Sequence, residues 1–390
     1  RSRGLGDVYK RQYLDNAATT FPKPESVYAA MDKINRKGAV NAGRGSYKLA
    51  QEASKIISET KTKLRKLVHV DTSVAVVLSP SITIAINQIV NGLNLRRKAV
   101  VYVSPYEHNA VARSLYDLSK RKELVIKEIP LDNKLEIDIE KMKYEFSKDK
   151  PEAVFCTHVS NVTGYILPVE EIFKEAKKHG SINILDSAQS LGLVDVRADL
   201  MNADIIAFAG HKTLYGPFGV GGFINISGVP LDTFVVGGTG SDSLNLEMPL
   251  GNEARYESSS PNIVAIAGLN AALDILEQKT HFEYEKDITS YLIKKLSLIK
   301  EVKMYIPSNP ERHIGIVSII VEGFNSEDIG TILDEDFGIA VRTGYHCAPY
   351  IHKYLKDIES LGTIRIGIGQ FTTKDEIDSL IKAIKEIVYE

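Results

Sequence analysis

The chain has 390 residues, 44% hydrophobic and 25% charged, enough for two or three domains at about 100–200 residues each. This composition excludes disordered, collagen-like and coiled-coil chains. With 48 Lys and Arg against 50 Asp and Glu it lacks the basic excess of a nucleic-acid binder, and no apolar run approaches the roughly 18 residues of a membrane-spanning helix.

From the amino terminus, RSRGLGDVYKRQ (1–12) has no initiator Met and no apolar core, and carries four basic residues against one acid. It fits neither a secretory signal nor a first strand and resembles translated adapter sequence, so residues 1–12 are expected to be a non-native leader. Without them, 44 basic residues face 49 acidic ones, and the chain is mildly acidic.

Short β-branched runs follow at Val74–Leu78, Val100–Val103, Val125–Ile129, Ala153–Thr157, Ile182–Leu185, Ile205–Phe208 and Phe223–Ile226. They are nearly continuous in apolar residues, as in strands covered on both faces. Between two of them, PVEEIFKEAKKHG repeats Val169, Ile172, Phe173 and Ala176 at helical spacing, with Pro168 at its start and Gly180 at its end. Strand, crossover and strand in repetition predict a mainly parallel α/β sheet. After about residue 270 helical segments dominate, with few strong strands, and a smaller α+β domain is predicted there. In TTKDEIDSLIKAIKEIVYE, Thr373 and Glu376 predict a capping box, and Ile377, Leu380, Ile381, Ile384 and Val388 share one face. The two cysteines, Cys156 and Cys347, form no CxxC pair and fit a reducing, cytoplasmic compartment.

The chemistry concentrates in INILDSAQ (182–189) and AFAGHKTLYGP (207–217). One apolar strand ends in Asp186 and the next ends before Lys212. Ligands of open α/β sheets sit outside the carboxyl ends of the strands, so one crevice receives a carboxylate and an amine. A pyridoxal phosphate enzyme needs both: a lysine to bond the aldehyde and an acid to keep the pyridine nitrogen protonated. At ~3 Å and an effective dielectric of ~20, that acid–pyridinium contact has a Coulomb energy of at most about 5 kcal/mol. Taken singly, an Asp after a strand is more often a helix cap and a Lys beside Gly a solvated turn; the pair in this spacing carries the assignment.

DSAQ with AGHK resembles the class V aminotransferases, a family of fold-type I pyridoxal phosphate enzymes. RTGYHCAP (342–349) resembles their cysteine desulfurases, in the Suf-type, NifS-like branch. The stretches YLDNAATT (13–20), NAGRGSYKLAQEA (41–53), YEHNAV (106–111), THVSNVTGYILPVEEI (157–172), GGTGS (237–241), RYESSSPN (255–262) and GTIRIGIG (362–369) extend the likeness from residue 13 to 390. The resemblance implies a large cofactor domain over 27–270 and a small domain from 13–26 with 271–390. It implies that Lys212 bonds the cofactor and shuttles protons, that Asp186 pairs with the pyridine nitrogen, that Asn161 and Gln189 reach the phenolic oxygen, and that His108 stacks on the ring. Ser81, Ile82 and Thr83 match the phosphate-binding turn, with fewer Gly and Thr than is usual there. His211 matches a further phosphate contact, and Ala209 stands where Ser or Thr is usual. Ser260 would reach the partner's phosphate in a homodimer.

By the same resemblance, Arg365 would clamp the substrate carboxylate with its planar fork, and Arg342 is a second candidate. Cys347 would attack the sulfur of L-cysteine, keep it as a persulfide and release alanine, with His108 and the bound substrate as candidates to take the thiol proton. Cys156, inside a strand, reads as a small buried hydrophobe. The sulfur acceptor stays open: a scaffold or carrier protein, a tRNA-thiolation protein or another sulfurtransferase. Two rivals stand beside this reading. A selenocysteine lyase or another class V enzyme would keep Lys212 and Asp186, and a non-catalytic scaffold would have lost one of Lys212, Asp186 and Cys347. His346, Cys347 and His352 match no zinc spacing, so no metal is expected, and GPFGVGG and GGTG open no helix after a first strand, so they are not a dinucleotide fingerprint.

Overall fold

The computed structural model describes residues 12–42, 45, 47–240, 244–251 and 253–389. Residues 1–11 of the expected leader lie outside the described residues, as do Gly43, Arg44, Ser46 and Ser241 of the matching stretches. Gln12 falls in strand β1 (Gln12–Tyr13), which pairs in parallel with Ile339 and Ala340 far along the chain.

The predicted β-branched runs form a seven-stranded sheet: β2 (Ala75–Ser79), β3 (Val100–Val103), β4 (Val125–Glu128), β5 (Ala153–Thr157), β6 (Ile182–Asp186), β7 (Ile205–Ala209) and β8 (Gly221–Asn225). Its order is β2-β8-β7-β6-β5-β3-β4, and only β8 runs against its neighbours. All five residues of β5, of β7 and of β8 are buried. Helices on the two faces explain their continuous apolar character: one core gathers Leu185, Ile206, Ile224 and Phe173, the other Val101, Phe155, Ile184 and Phe223.

The predicted helix spans Val169–Lys177, with Pro168 at its N-cap and its chain turned away at Gly180, φ +79°. The capping box forms as expected: the Thr373 N–H donates to Glu376 Oε2 (2.8 Å) and the Glu376 N–H to Thr373 Oγ1 (3.3 Å), opening the helix Lys374–Tyr389.

The carboxyl-terminal part holds more strand than its pattern announced. β9 (Val302–Tyr305), β10 (Ile316–Val321), β11 (Ile339–Ala340), β12 (Arg342–Gly344) and β13 (Thr363–Gly367) lie there, and four of them form an antiparallel sheet in the order β12-β13-β10-β9. Its core, around Val317, Ile319, Ile364 and Ile366, packs on the terminal helix and also takes in Leu14. Among the described residues no helix is long and apolar enough to cross a membrane.

Candidate active site

The carboxyl ends of β2, β3, β5, β6 and β7 meet at one edge of the large sheet, because β2 and β7 are each antiparallel to β8. That edge collects most of the predicted site residues. Asp186 ends β6, Lys212 follows β7 by three residues, Asn161 follows β5 by four, His108 follows β3 by five, and Ser81 follows β2 by two.

Asp186 is 4% exposed, and its Oδ1 accepts the Ala188 N–H at 2.9 Å. Burial raises its carboxyl above the usual range, against the pull of that N–H and of Lys212. Desolvation lowers the Lys212 ammonium to about 8, while the charges of Asp186, Cys347 and Asp15 act in the opposite sense. The free amine is the form that attacks an aldehyde, and this lowering brings it within reach of mildly alkaline pH. Its loop is tied down through backbone oxygens: Thr20 Oγ1 donates to Lys212 O (3.0 Å), and Lys23 Nζ (2.8 Å) and Thr19 Oγ1 (2.9 Å) donate to His211 O.

His108 caps the helix Asn109–Lys122, its Nδ1 accepting the Ala110 N–H at 3.0 Å. The ring proton therefore sits on Nε2. Burial first, then Lys212, Arg365 and Arg113, push its pKa down to about 4, so it is a neutral imidazole at working pH. Beside it Glu107 is fully buried, accepting Ser104 Oγ (2.5 Å) and the Thr157 N–H (2.6 Å). Burial and Asp186 push Glu107 up to about 8. Glu107 lies within YEHNAV (106–111), and nothing in the sequence around it signals a role for this carboxyl.

Ser81 caps the helix Ile82–Gly92, its Oγ accepting the Ile84 N–H at 3.3 Å. A Cβ on Gly221 would stand 2.8 Å from the Ile82 nitrogen, so glycine there keeps this helix N-terminus clear. Ile82 is half-buried and Thr83 exposed. His211 stacks under the exposed ring of Phe218, centroids 4.6 Å apart, and its buried Nδ1 has no partner among the described residues. Ser260 is exposed on the segment entering the helix Ile263–Asp274 and makes no hydrogen bond to the other site residues.

The carboxyl-terminal sheet adds the rest. Arg365 on β13 is 3% exposed; Nη1 donates to Asn161 O (3.0 Å), Nη2 to Asp15 Oδ1 (2.8 Å), and Nε is buried without a partner among the described residues. Arg342 lies opposite it on β12 and is exposed. Asn161 Nδ2 donates to His346 O (2.7 Å) and Gln189 Nε2 to Ala17 O (2.7 Å). Each amide nitrogen carries a second hydrogen.

Cys347 is exposed, whereas Cys156 is fully buried in β5, where burial raises its thiol pKa well above the usual value. His346 and Cys347 both have left-handed backbones, φ +45° and +55°. Such residues cost about 1–3 kcal/mol each and persist only where surrounding contacts enforce them. Here they do: Ala348 N–H donates to Tyr345 O (3.1 Å), Asn161 to His346 O, and Asn109 N–H to Cys347 O (2.7 Å). The turn bearing the thiol is thus fastened to the loops of β3 and β5.

The class-V aminotransferase family model matches residues 12–380. A probable cysteine desulfurase of Halalkalibacterium halodurans is 30% identical over 96% of this chain and 92% of its own length. Another, of Pyrococcus abyssi, is 29% identical over 96% and 94%. The apo structure of the cysteine desulfurase of Thermococcus onnurineus superposes with a TM-score of 0.86 at 28% identity, covering 100% of this chain and 99% of that one. The match spans both sheets and every site residue described above, and the chain belongs to the class-V aminotransferases, a pyridoxal-phosphate-dependent family.

Proposed function

We propose that the protein is a cysteine desulfurase that converts L-cysteine to L-alanine and holds the released sulfur as a persulfide on Cys347. The observation that carries this reading is the meeting of a half-buried amine, Lys212, and a buried carboxyl, Asp186, with an exposed thiol on a strained, fastened turn. The cysteine desulfurases among its relatives support it.

The residues present fit pyridoxal phosphate. Asp186 offers a buried acid for the ring nitrogen, the helix N-terminus at Ile82 offers backbone N–H groups for the phosphate, and the buried His211 Nδ1 lacks a partner among the described residues. Asn161 and Gln189 have amide hydrogens for the phenolic oxygen, and His108 offers an uncharged ring face. Bound at Lys212, the cofactor supplies an electron sink for the bonds at the substrate Cα.

Arg365 binds the substrate carboxylate with the guanidinium edge that now faces Asp15, and Arg342 adds positive charge at the mouth. Lys212 Nζ moves the Cα proton. Cys347 Sγ, its proton given up, attacks the substrate sulfur: the S–S bond forms as the substrate's C–S bond breaks, and the carbon keeps that electron pair and takes up a proton to become the methyl group of alanine. Exposure of Cys347 leaves that sulfur open to an acceptor protein. Its two thiols, both free, suit a reducing cytoplasm. In this reading residues 27–270 form the cofactor domain, and 13–26 with 271–390 the small domain.

We also propose a homodimer. Val236, Leu244, Leu246 and Leu250 are 72–102% exposed between residues 236 and 250, a run of exposed large apolar side chains of the kind that marks protein interfaces, and Ser260 follows close behind it. Sedimentation at twice the chain mass is expected; a monomer at micromolar concentration would contradict it. The activity is read as alanine released from L-cysteine by protein reconstituted with pyridoxal phosphate in the presence of a thiol reductant. Alanine formation supports the desulfurase assignment, and transamination without sulfur release would replace it with another class V reaction.

A further inference from the structure

Behind the Cys347 turn lie two buried polar residues with no part in holding cofactor or substrate. His352 is 5% exposed and Asp357 is 0% exposed. His352 Nε2 lies 2.8 Å from Tyr345 O. A carbonyl only accepts, so Nε2 carries a hydrogen and donates it. The other ring nitrogen, Nδ1, lies 2.5 Å from Asp357 Oδ2, a contact that requires a proton between them and fixes the ring's orientation, as carboxylates do for ligand histidines. The Asp357 backbone is itself held, its carbonyl accepting the Gly362 N–H at 2.9 Å. The Tyr345 ring meets the His352 ring edge-on, centroids 5.1 Å apart.

Tyr345 O is the oxygen that closes the thiol-bearing turn, since it also accepts the Ala348 N–H at 3.1 Å. His346 and Cys347, both left-handed and neither a glycine, lie between donor and acceptor. The carbonyls of His346 and Cys347 are held by Asn161 and Asn109, from the sheet side. His352 holds the third carbonyl, that of Tyr345, so the strained turn is fastened at every peptide oxygen from Tyr345 to Cys347.

We propose that His352, oriented by Asp357, is a positioning residue that holds the Tyr345–Cys347 turn in its left-handed form and so places the Cys347 thiol for sulfur transfer. This rests on the reading of Cys347 as the sulfur-accepting thiol. Among the described residues no hydrogen bond or ion pair joins His352 to the cofactor residues or to Arg365, so its loss is expected to change the transfer step and not the binding of cysteine.

The test compares His352→Ala, His352→Gln and Cys347→Ala in the holoenzyme. His352→Ala is expected to lower kcat at least tenfold, with KM for L-cysteine within twofold and the visible cofactor absorbance unchanged. Glutamine, which can donate an amide hydrogen to Tyr345 O, is expected to recover kcat to within about threefold. Hydrogen exchange without substrate is expected to show the amides of residues 345–348 exchanging at least tenfold faster in His352→Ala, with the interior of Asn109–Lys122 unchanged. If His352→Ala does not fold, His352→Asn, too short to reach Tyr345 O, takes its place with the same expectations. A kcat within twofold of the unmodified enzyme, a rise in KM matching the fall in kcat, or glutamine no better than alanine would overturn the proposal. Cys347→Ala separates the two claims: if it makes alanine at the full rate, the reading of Cys347 falls. If it is inactive while His352→Ala is fully active, only the positioning role falls.

Discussion

Replacing Lys212 with alanine is expected to remove the visible absorbance of the reconstituted protein and to cut alanine formation by on the order of 10³-fold or more, since both the covalent attachment and the proton transfer are lost. Its amine is the group the fold prepares. Burial brings it down to about 8, and Asp186 stops the fall from going further. Below that pH the ammonium predominates and cannot attack an aldehyde; above it the free amine does. The rate at which apoprotein captures added pyridoxal phosphate should therefore climb as pH rises towards about 8 and level off above it. Stopped-flow absorbance on the apoprotein reads this directly, and a capture rate that is flat from pH 6 to pH 9 would remove Lys212 from the attachment.

Cys347→Ser is expected to keep the cofactor absorbance and the binding of L-cysteine while losing about 10²-fold or more in turnover, because a hydroxyl cannot hold the transferred sulfur. The loss belongs in kcat, not KM, since the carboxylate is held by Arg365 from β13 and the cofactor by the edge of the large sheet. Cys156→Ser is the natural control. That thiol is fully buried in β5, and its loss should leave turnover per folded molecule unchanged. Turnover in Cys347→Ser equal to that of the unmodified enzyme would move sulfur transfer to another group.

Much of the large sheet was legible because strands buried on both faces announce themselves as short apolar runs. Val100–Val103 and Ala153–Thr157 coincide with β3 and β5, and most other boundaries differ by a residue. β8 begins two residues before its apolar run, at Gly221 and Gly222, which carry no hydrophobic signal yet pair with Ser79 and Leu78. The second sheet was harder to read. Ile316–Val321 is apolar but for the buried Ser318 and cannot be told from a buried helical segment by periodicity, while Arg342–Gly344 has no hydrophobic side chain and is a strand only because β13 lies beside it.

The site divides the same way. Asp186 and Lys212 could be found because each follows an apolar strand within a few residues. The Arg365–Asp15 ion pair joins residues 350 apart, and no local pattern announces it. His352 was noticed only as a poor metal ligand; its bond to Tyr345 O exists because a short helix folds back over the thiol turn. Glu107 lay inside a quoted motif, but its burial against Thr157 depends on β3 and β5 being neighbours.

The central claim, that sulfur leaves L-cysteine and lodges on Cys347, is tested most directly by mass spectrometry of the intact holoenzyme after brief exposure to L-cysteine without reductant. The account predicts one additional sulfur atom on the peptide containing Cys347, removed by a thiol reductant, with none on Cys156 and none in Cys347→Ser. An unmodified Cys347 while alanine accumulates in the same sample would contradict it.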